Sequence, residues 1–399
     1  MAVSRAARPD ELIAILRARA GETIDAARLE QKLRSSRKLR VKLGIDPTSP
    51  HLHIGHMLPL WFLRAFQDAG HRAVLIIGDF TARIGDPSGR SAARTALSTA
   101  QVKKNERTYL AQIGRVLDLK RAEVRHNSEW LGTMRLEQFL GLLARFPLKS
   151  AWEREDFQKR LAAGKPVQLS EAMYPVLQAY DSVAVKADVE LGGMDQRLNV
   201  LAGRELQAAF GKEPQDVVLL PYLVGLDGSQ KMSKSLGNTI DLLDAADVMF
   251  GKVMRIPDAL IPSYAALAAW LPAADVDRIV AGLQRGENPR DAKLEVAEGL
   301  VRRFYGDAAA RAARAAFVRL FSARDQSGEF PESALGPGRY AALDIIARLG
   351  GTSKSEARRL LAGKALEINQ RPVLGADTTV ELESGDVIRI GKKKFFRVP

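Results

Sequence analysis

The clearest pattern in the chain lies between residues 41 and 77. Val41-Lys42-Leu43-Gly44-Ile45 reads as a buried strand, 46–52 as a loop with two prolines, 55–69 as a helix and Ala73-Val74-Leu75-Ile76-Ile77 as a second strand. That is a βαβ unit, whose right-handed crossover builds a parallel sheet. Such sheets bind ligands beyond the carboxyl ends of their strands, where loops 46–53 and 78–90 fall. Upstream, Leu12, Ile13, Leu16, Leu29 and Leu33 recur at helical spacing, so residues 1–35 are expected to be a helical extension. Downstream the pattern is helical over 134–163, and Ser170 can cap a helix running to about residue 180. Strands are expected over 185–191 and 217–224, with a helix over 196–210 between them.

Beyond residue 236 the chain turns Ala, Arg and Leu-rich with helical periodicity to about residue 321, and 326–338 has the Ser, Gly and Pro content of a linker. The last 60 or so residues alternate differently. A helix near 341–349 and a Gly350-Gly351 break precede Ser353-Lys354-Ser355-Glu356, a capping box opening a helix that stops at Gly363. Two short strands, 387–390 and 395–398, flank a turn at Gly391-Lys392-Lys393. The expected organisation is therefore α/β: a Rossmann-type parallel-sheet domain over 36–240, a helical domain over 241–325, a linker over 326–338 and a small α+β module over 339–399.

Composition narrows the function classes. At 399 residues and 46% hydrophobic, the chain can bury two or three cores. No apolar run approaches the ~20 residues of a membrane span. Asp10, Glu11, Glu22 and Asp25 argue against a secretory or transit segment, so the cytoplasm is the expected compartment. Zero Cys excludes disulfides, thiol nucleophiles and Cys-held zinc. A net charge of +13 fits a polyanionic partner, although excess Arg on a surface would give the same figure.

Two short motifs carry chemistry. His53 and His56 stand at i and i+3 at the start of a helix, where free backbone N–H groups and the helix dipole favour an anion, and Gly55 lies between them. Asp46-Pro47 places the Thr48 hydroxyl just before them. Two surface histidines on a capped helix would look the same, and a metal pair would lack a third ligand. Lys231-Met232-Ser233-Lys234-Ser235 follows an apolar strand and the turn Gly225-Leu226-Asp227-Gly228. Two lysines between glycines suit a loop that closes over a polyphosphate. Between the motifs, Tyr174, Gln178 and Asp181 stand at i, i+4 and i+7 and share one helix face, a spacing that often marks only the wet side of a helix.

Taken together, these motifs resemble those of class I aminoacyl-tRNA synthetases, and residues 38–240 look like the tyrosyl-tRNA synthetases. The carriers are Gly44-Ile45-Asp46-Pro47-Thr48, Leu52 to His56, Gly85-Asp86-Pro87-Ser88-Gly89-Arg90, Tyr174 to Asp181, Gly192-Gly193-Met194-Asp195-Gln196 and the lysine loop. The resemblance implies that Asp86, Tyr174 and Gln178 bind the α-ammonium of tyrosine, that Asp181 accepts the phenolic O–H and that Gln196 lies near the reacting carboxylate. It also implies that Asp195 binds the ATP ribose, with Gly193 admitting the nucleoside. Thr48, His53, His56, Lys231 and Lys234 would stabilise the phosphates, flanked by Gly55, Met232 and Ser233. Lys42 stands where many relatives carry a Tyr that bonds the phenol. It can donate to the phenol oxygen, pair with Asp181 or point away.

The C-terminal module looks like the RNA-binding domain shared with a small-subunit ribosomal protein, with Lys354, Arg358, Arg359, Lys392, Lys393 and Lys394 as its basic surface. The implied reaction joins tyrosine to AMP and then to the 3′ end of tRNA(Tyr). ATP with Mg²⁺ enters as a substrate complex, no tightly bound cofactor or zinc is expected, and the protein is expected to be a homodimer. A tryptophanyl enzyme would share the lysine loop but not 85–90 or the C-terminal module. A synthetase-derived RNA-binding protein would have no use for the complete set of site residues.

Overall fold

The computed structural model describes residues 8–88, 97–147, 154–321, 330–363, 365–369, 371–375, 378–391 and 394–399. Two compact units divide the chain at Ala310. In the first, α1 (Pro9–Arg19), β1 (Glu22–Ile24) and α2 (Ala26–Arg34) precede the predicted βαβ unit of β2 (Arg40–Ile45), α3 (Ile54–Asp68) and β3 (Arg72–Ile77). Next come α4 (Thr99–Ile113), β4 (Glu123–His126), α5 (Ser128–Leu131), α6 (Leu136–Leu143) and α7 (Glu155–Ala162). The sheet resumes after α8 (Leu169–Ala184) with β5 (Val189–Gly193), α9 (Arg197–Ala209) and β6 (Asp216–Leu220). The remaining longer helices are α10 (Ala246–Val253), α11 (Ala273–Gln284) and α12 (Pro289–Phe321), the last broken at Gly306, where φ is +80°.

The sheet order is β1-β6-β5-β2-β3-β4, parallel except for β1. After β2 the chain first builds outward through β3 and β4, then returns to place β5 on the other side of β2. The β2/β5 junction is thus the point where strand order reverses and a crevice opens at the carboxyl ends. The core explains the order: Ala73 to Ile77 are fully buried, as are Leu60, Phe62, Leu63 and Phe66 of α3, so β3 is apolar on both faces.

Several expectations are corrected. Residues 8–35 are not helical throughout, because Glu22–Ile24 pairs antiparallel with β6 and closes that edge of the sheet. Three residues are too few to display a period. The helix expected to be capped by Ser170 is α8, and its N-cap is Gln168, whose N–H donates to Glu171 Oε2 at 2.9 Å. Residues 185–188 are not strand, since α8 reaches Ala184 and β5 starts only at Val189. The expected 134–163 helix is split into α6 and α7, and α4 and β4 were not anticipated. Residues 241–310 cluster with the sheet as one unit.

The second unit contains β7 (Gly338–Ala341), α13 (Ala342–Gly350), α14 (Lys354–Ala362), β8 (Leu366–Ile368), β9 (Arg371–Pro372), β10 (Thr379–Leu382), β11 (Val387–Ile390) and β12 (Lys394–Arg397). Ile345, Ile346, Leu366, Ile388 and Val398 form its core. The described part of the expected linker belongs to this unit: Leu335 is buried in that core, Phe330 stacks on Phe395 at 5.5 Å, and Ser333 N–H donates to the Arg397 carbonyl at 2.6 Å. Ser353 Oγ accepts the Glu356 N–H, but the Glu356 carboxylate pairs with Arg359 at 3.3 Å, so only half of the expected capping box forms.

Candidate active site

Three strand ends supply the site. Past the end of β2, Asp46 accepts the Thr81 hydroxyl at 2.8 Å through Oδ1 and the Tyr174 phenol at 3.0 Å through Oδ2. Gly78, past β3, makes room for this, since a Cβ there would lie 1.9 Å from Asp46 Oδ1 and 2.5 Å from Thr81 Oγ1. Burial first, and then the charges of Asp46 and Asp86, push the Tyr174 phenol well above its usual range. Tyr174 is therefore a fixed donor to Asp46, and its oxygen stays available as an acceptor.

The i, i+4, i+7 spacing on α8 does bring Tyr174, Gln178 and Asp181 to one face. Asp181 is buried, accepts Trp130 Nε1–H at 2.7 Å through Oδ1 and lies 3.4 Å from Asn127 Nδ2 through Oδ2. Burial raises its carboxyl to about 7, against the opposing pull of Lys42, Trp130 and Asn127. Asn127 is itself held by Phe80 N–H, which donates to its Oδ1 at 3.0 Å. Sequence reasoning missed both Asn127 and Trp130, which follow the unanticipated β4 and have no spacing relation to α8.

Asp86 and Gln196 also meet: Gln196 Nε2 donates to Asp86 Oδ2 at 2.7 Å. Asn199, one turn further along, was missed as well. Its amide reaches Gln196 Oε1 at 2.8 Å, Gln178 Oε1 at 3.2 Å and Ser88 Oγ at 3.3 Å, and its oxygen accepts from Arg154 at 3.2 Å. Its i+3 relation to Gln196 on a helix was the available signal.

Of the three options for Lys42, pairing with Asp181 is not seen: the ammonium is bonded to other groups and acts on Asp181 only through its charge. Its ammonium donates to Glu190 Oε1 at 2.8 Å, Ser182 Oγ at 2.8 Å and the Gln178 carbonyl at 3.2 Å, which uses all three donors.

The two sequence motifs come together at the other end of the cleft. Leu242 N–H donates to the Leu52 carbonyl and Ile54 N–H to the Ile240 carbonyl, both at 3.0 Å, stitching the tail of the lysine loop to the start of α3. His53 and His56 lie 3.8 Å apart by ring centroid, with His53 N–H donating to His56 Nδ1 at 3.3 Å. Burial, then the nearby lysines, holds His53 down at about 3, and the same causes with His53 itself hold His56 well below its usual range. Both rings are neutral hydrogen-bonding groups rather than cations. Gly55 is needed beside them, because a Cβ would lie 3.0 Å from His53 Nδ1. Thr48 N–H closes a tight turn onto the Asp46 carbonyl at 2.8 Å.

On the lysine loop, Lys231 pairs with Asp195 Oδ2 at 2.7 Å, while Lys234 donates to Ser49 Oγ at 3.1 Å and to the His51 carbonyl. Met232 is buried beneath the loop. Ser233 N–H donates to Asn238 Oδ1 at 2.7 Å, and Asn238 also bonds Asp227, so this unpredicted Asn clamps the loop at both ends. Gly193 precedes Asp195 with little room, as a Cβ would sit 2.5 Å from Asp195 Oδ1. In the second unit, Lys354, Arg358 and Arg359 are exposed on α14, whereas Lys394 donates to the Gly350 carbonyl. Lys392 and Lys393 lie outside the described residues, as do Gly89 and Arg90.

A parallel sheet with a polar crevice at its switch point, histidines at one helix start and a lysine loop opposite define a class I synthetase site. A family model described as tRNA synthetases class I (W and Y) matches residues 34–322. The tyrosine–tRNA ligase of Acidithiobacillus ferrooxidans is 46% identical over 377 residues, covering 93% of this chain and 92% of that one. That of Dehalococcoides mccartyi strain CBDB1 is 44% identical over 384 residues, 96% of each chain. Among solved structures, a C-terminally truncated mitochondrial tyrosyl-tRNA synthetase of Aspergillus nidulans shares the fold with a TM-score of 0.65 at 21% identity, over 78% of this chain and 94% of that one. The chain belongs to the tyrosine–tRNA ligase family.

Proposed function

We propose that the protein activates L-tyrosine with ATP, giving tyrosyl-adenylate and pyrophosphate, and then transfers tyrosine to the 3′ end of tRNA(Tyr). The observation that carries this reading is the buried Asp181 carboxylate, held by Trp130 and Asn127 at the closed end of the cleft. It is an acceptor waiting for one directed donor, which a phenolic O–H supplies and a phenyl ring or an indole N–H at another angle does not.

Asp86, Tyr174 and Gln178 take the α-ammonium, and Gln196 lies by the carboxylate. That carboxylate is already ionised and attacks the α-phosphorus in line, so no general base is needed. Rate enhancement comes from alignment and from stabilising the charge that moves onto pyrophosphate. Neutral His53 and His56 donate hydrogen bonds on one side, with Thr48, and Lys231 and Lys234 supply charge on the other. Asp195 binds the ribose, which requires Lys231 to leave it. Among the described residues no three His, Cys, Asp or Glu side chains gather as a metal site. Mg²⁺ would arrive on the phosphates as part of the substrate.

The helical region 241–325 contacts the anticodon, and the module 339–399 binds tRNA phosphates through Lys354, Arg358 and Arg359. The exposed apolar side chains Leu136 and Leu169 line a groove of about 550 Å³ together with Phe80, Ile84, Met134 and Met173, which suits a second copy of the chain in a homodimer. No helix among the described residues is long and apolar enough to cross a membrane, and the cytoplasm is the proposed compartment.

Amino-acid-dependent ATP–pyrophosphate exchange with tyrosine, tryptophan and phenylalanine tests the reading. Exchange is expected with tyrosine alone, and its absence in a folded sample overturns the proposal. Removing residues after Gly338 should leave exchange intact while weakening tRNA charging.

A further inference from the structure

Lys42 and Glu190 face each other on the adjacent strands β2 and β5, and apart from their through-space effect on the Asp181 carboxyl neither has a part in the chemistry above. Their side chains are 0% and 2% exposed. A buried ion pair is often no more stabilising than apolar residues of the same volume, so stability alone does not account for it. The partners suggest a positional role. Glu190 Oε1, besides holding Lys42, lies 3.3 Å from Gln178 Nε2. Glu190 Oε2 accepts Ser182 Oγ–H at 3.0 Å and the Gln215 amide. Gly203 on α9 keeps the space open, since a Cβ there would lie 2.7 Å from Gln215 Nε2 and 2.9 Å from Ser182 Oγ.

A glutamine amide has a donating and an accepting end, and a neighbour decides which way it points. Here a carboxylate takes the donating end of Gln178, so its oxygen is turned to Asn199 and the cleft. Tyr174 is treated likewise by Asp46, which accepts its O–H and leaves the lone pairs of the phenol oxygen to act as acceptors. An ammonium needs acceptors only. Two carboxylates, the buried Glu190 and the half-buried Asp46, therefore set two neutral side chains in the state a cation requires.

We propose that the Lys42–Glu190 pair is a positioning device for the amino end of the substrate: Glu190 locks Gln178 with its oxygen presented to the α-ammonium, and Lys42 supplies the counter-charge. This rests on the reading that Gln178 contacts that ammonium.

The test compares two inhibitors of tyrosine-dependent exchange by the full chain. Tyramine has the ammonium but no carboxylate, and 3-(4-hydroxyphenyl)propionate has the carboxylate but no ammonium. In K42M/E190M, which replaces the pair by apolar groups of similar volume, the inhibition constant of tyramine should rise roughly tenfold or more, the scale of a hydrogen bond to a charged group. That of the propionate should stay within about twofold, and kcat and the KM for ATP should hold. E190Q keeps the shape but weakens the acceptor, and should show the same selectivity at several-fold. Equal weakening of both inhibitors, or no selective loss of tyramine in whichever variant folds, overturns the inference. Failure of the wild-type protein to exchange with tyrosine would instead remove the reading beneath it.

Discussion

The two ends of the cleft are built on different physical plans. At the amino-acid end, Asp181, Tyr174, Gln178 and Asn199 are held by directed hydrogen bonds to Trp130, Asn127, Asp46 and Glu190. At the phosphate end, the Lys231 side chain is 53% exposed and tied to Asp195 by one ion pair. Discrimination of a small donor needs acceptors that cannot adjust, and so it needs burial and supporting partners. Neutralising charge that moves during a reaction needs cations that can follow it, and so it needs exposure and a loop.

If that contrast holds, the largest effect belongs to Lys234→Ala. Its loss should lower kcat by roughly 10²–10³, as for removal of one donor from a developing oxyanion, with little change in the KM for tyrosine. A comparable rise in that KM would mean that the ends are not separable. Gly78→Ala tests the other end: a Cβ placed 1.9 Å from Asp46 must displace the support of Tyr174. It should cost about 1–3 kcal/mol in denaturant unfolding and raise the KM for tyrosine but not for ATP.

The pH profile of tyrosine binding should come from one end only. The Asp181 carboxyl lies at about 7 in the folded protein against its ordinary 3.8, so the folded state holds that proton more tightly. Its contribution to stability is full below pH 4, is lost as pH rises toward 7 and is level above, amounting to roughly a few kcal/mol. Tyrosine binding runs the other way, because the phenol needs an ionised acceptor: the KM for tyrosine should fall roughly tenfold from pH 6 to pH 8. Asp181→Asn should abolish the KM slope and remove the Asp181 contribution to the stability slope. His53, held at about 3, should add no step to the KM profile, whereas its loss of a proton on folding makes stability rise with pH up to about 6.5, opposing the Asp181 slope. The smallest effect is on stability at the phosphate end, where Lys231→Met should shift the unfolding free energy by less than about 1 kcal/mol even as exchange falls, because the Lys231–Asp195 pair is exposed.

Much of the frame was legible because its signals are local. Alternating and continuous apolar runs gave β2, α3 and β3, and a helical period put Tyr174, Gln178 and Asp181 on one face. Both phosphate motifs are contiguous, so they could be read as units. By contrast, β1 is three residues long, β4 is short and mostly half-buried, and Asn127, Trp130 and Asn199 reach the site from elements far apart in the chain. Nothing in a linear pattern says which carboxylate will receive an indole N–H from 51 residues away.

Lys42 marks the boundary between the two kinds of knowledge. The sequence by itself determined that a cation sits on the first strand of the βαβ unit, where many relatives carry a Tyr. Only the tertiary structure decided its direction, because strand order places β5, and with it Glu190, directly alongside, and an ammonium buried in a low-dielectric interior turns toward the one carboxylate it can reach there.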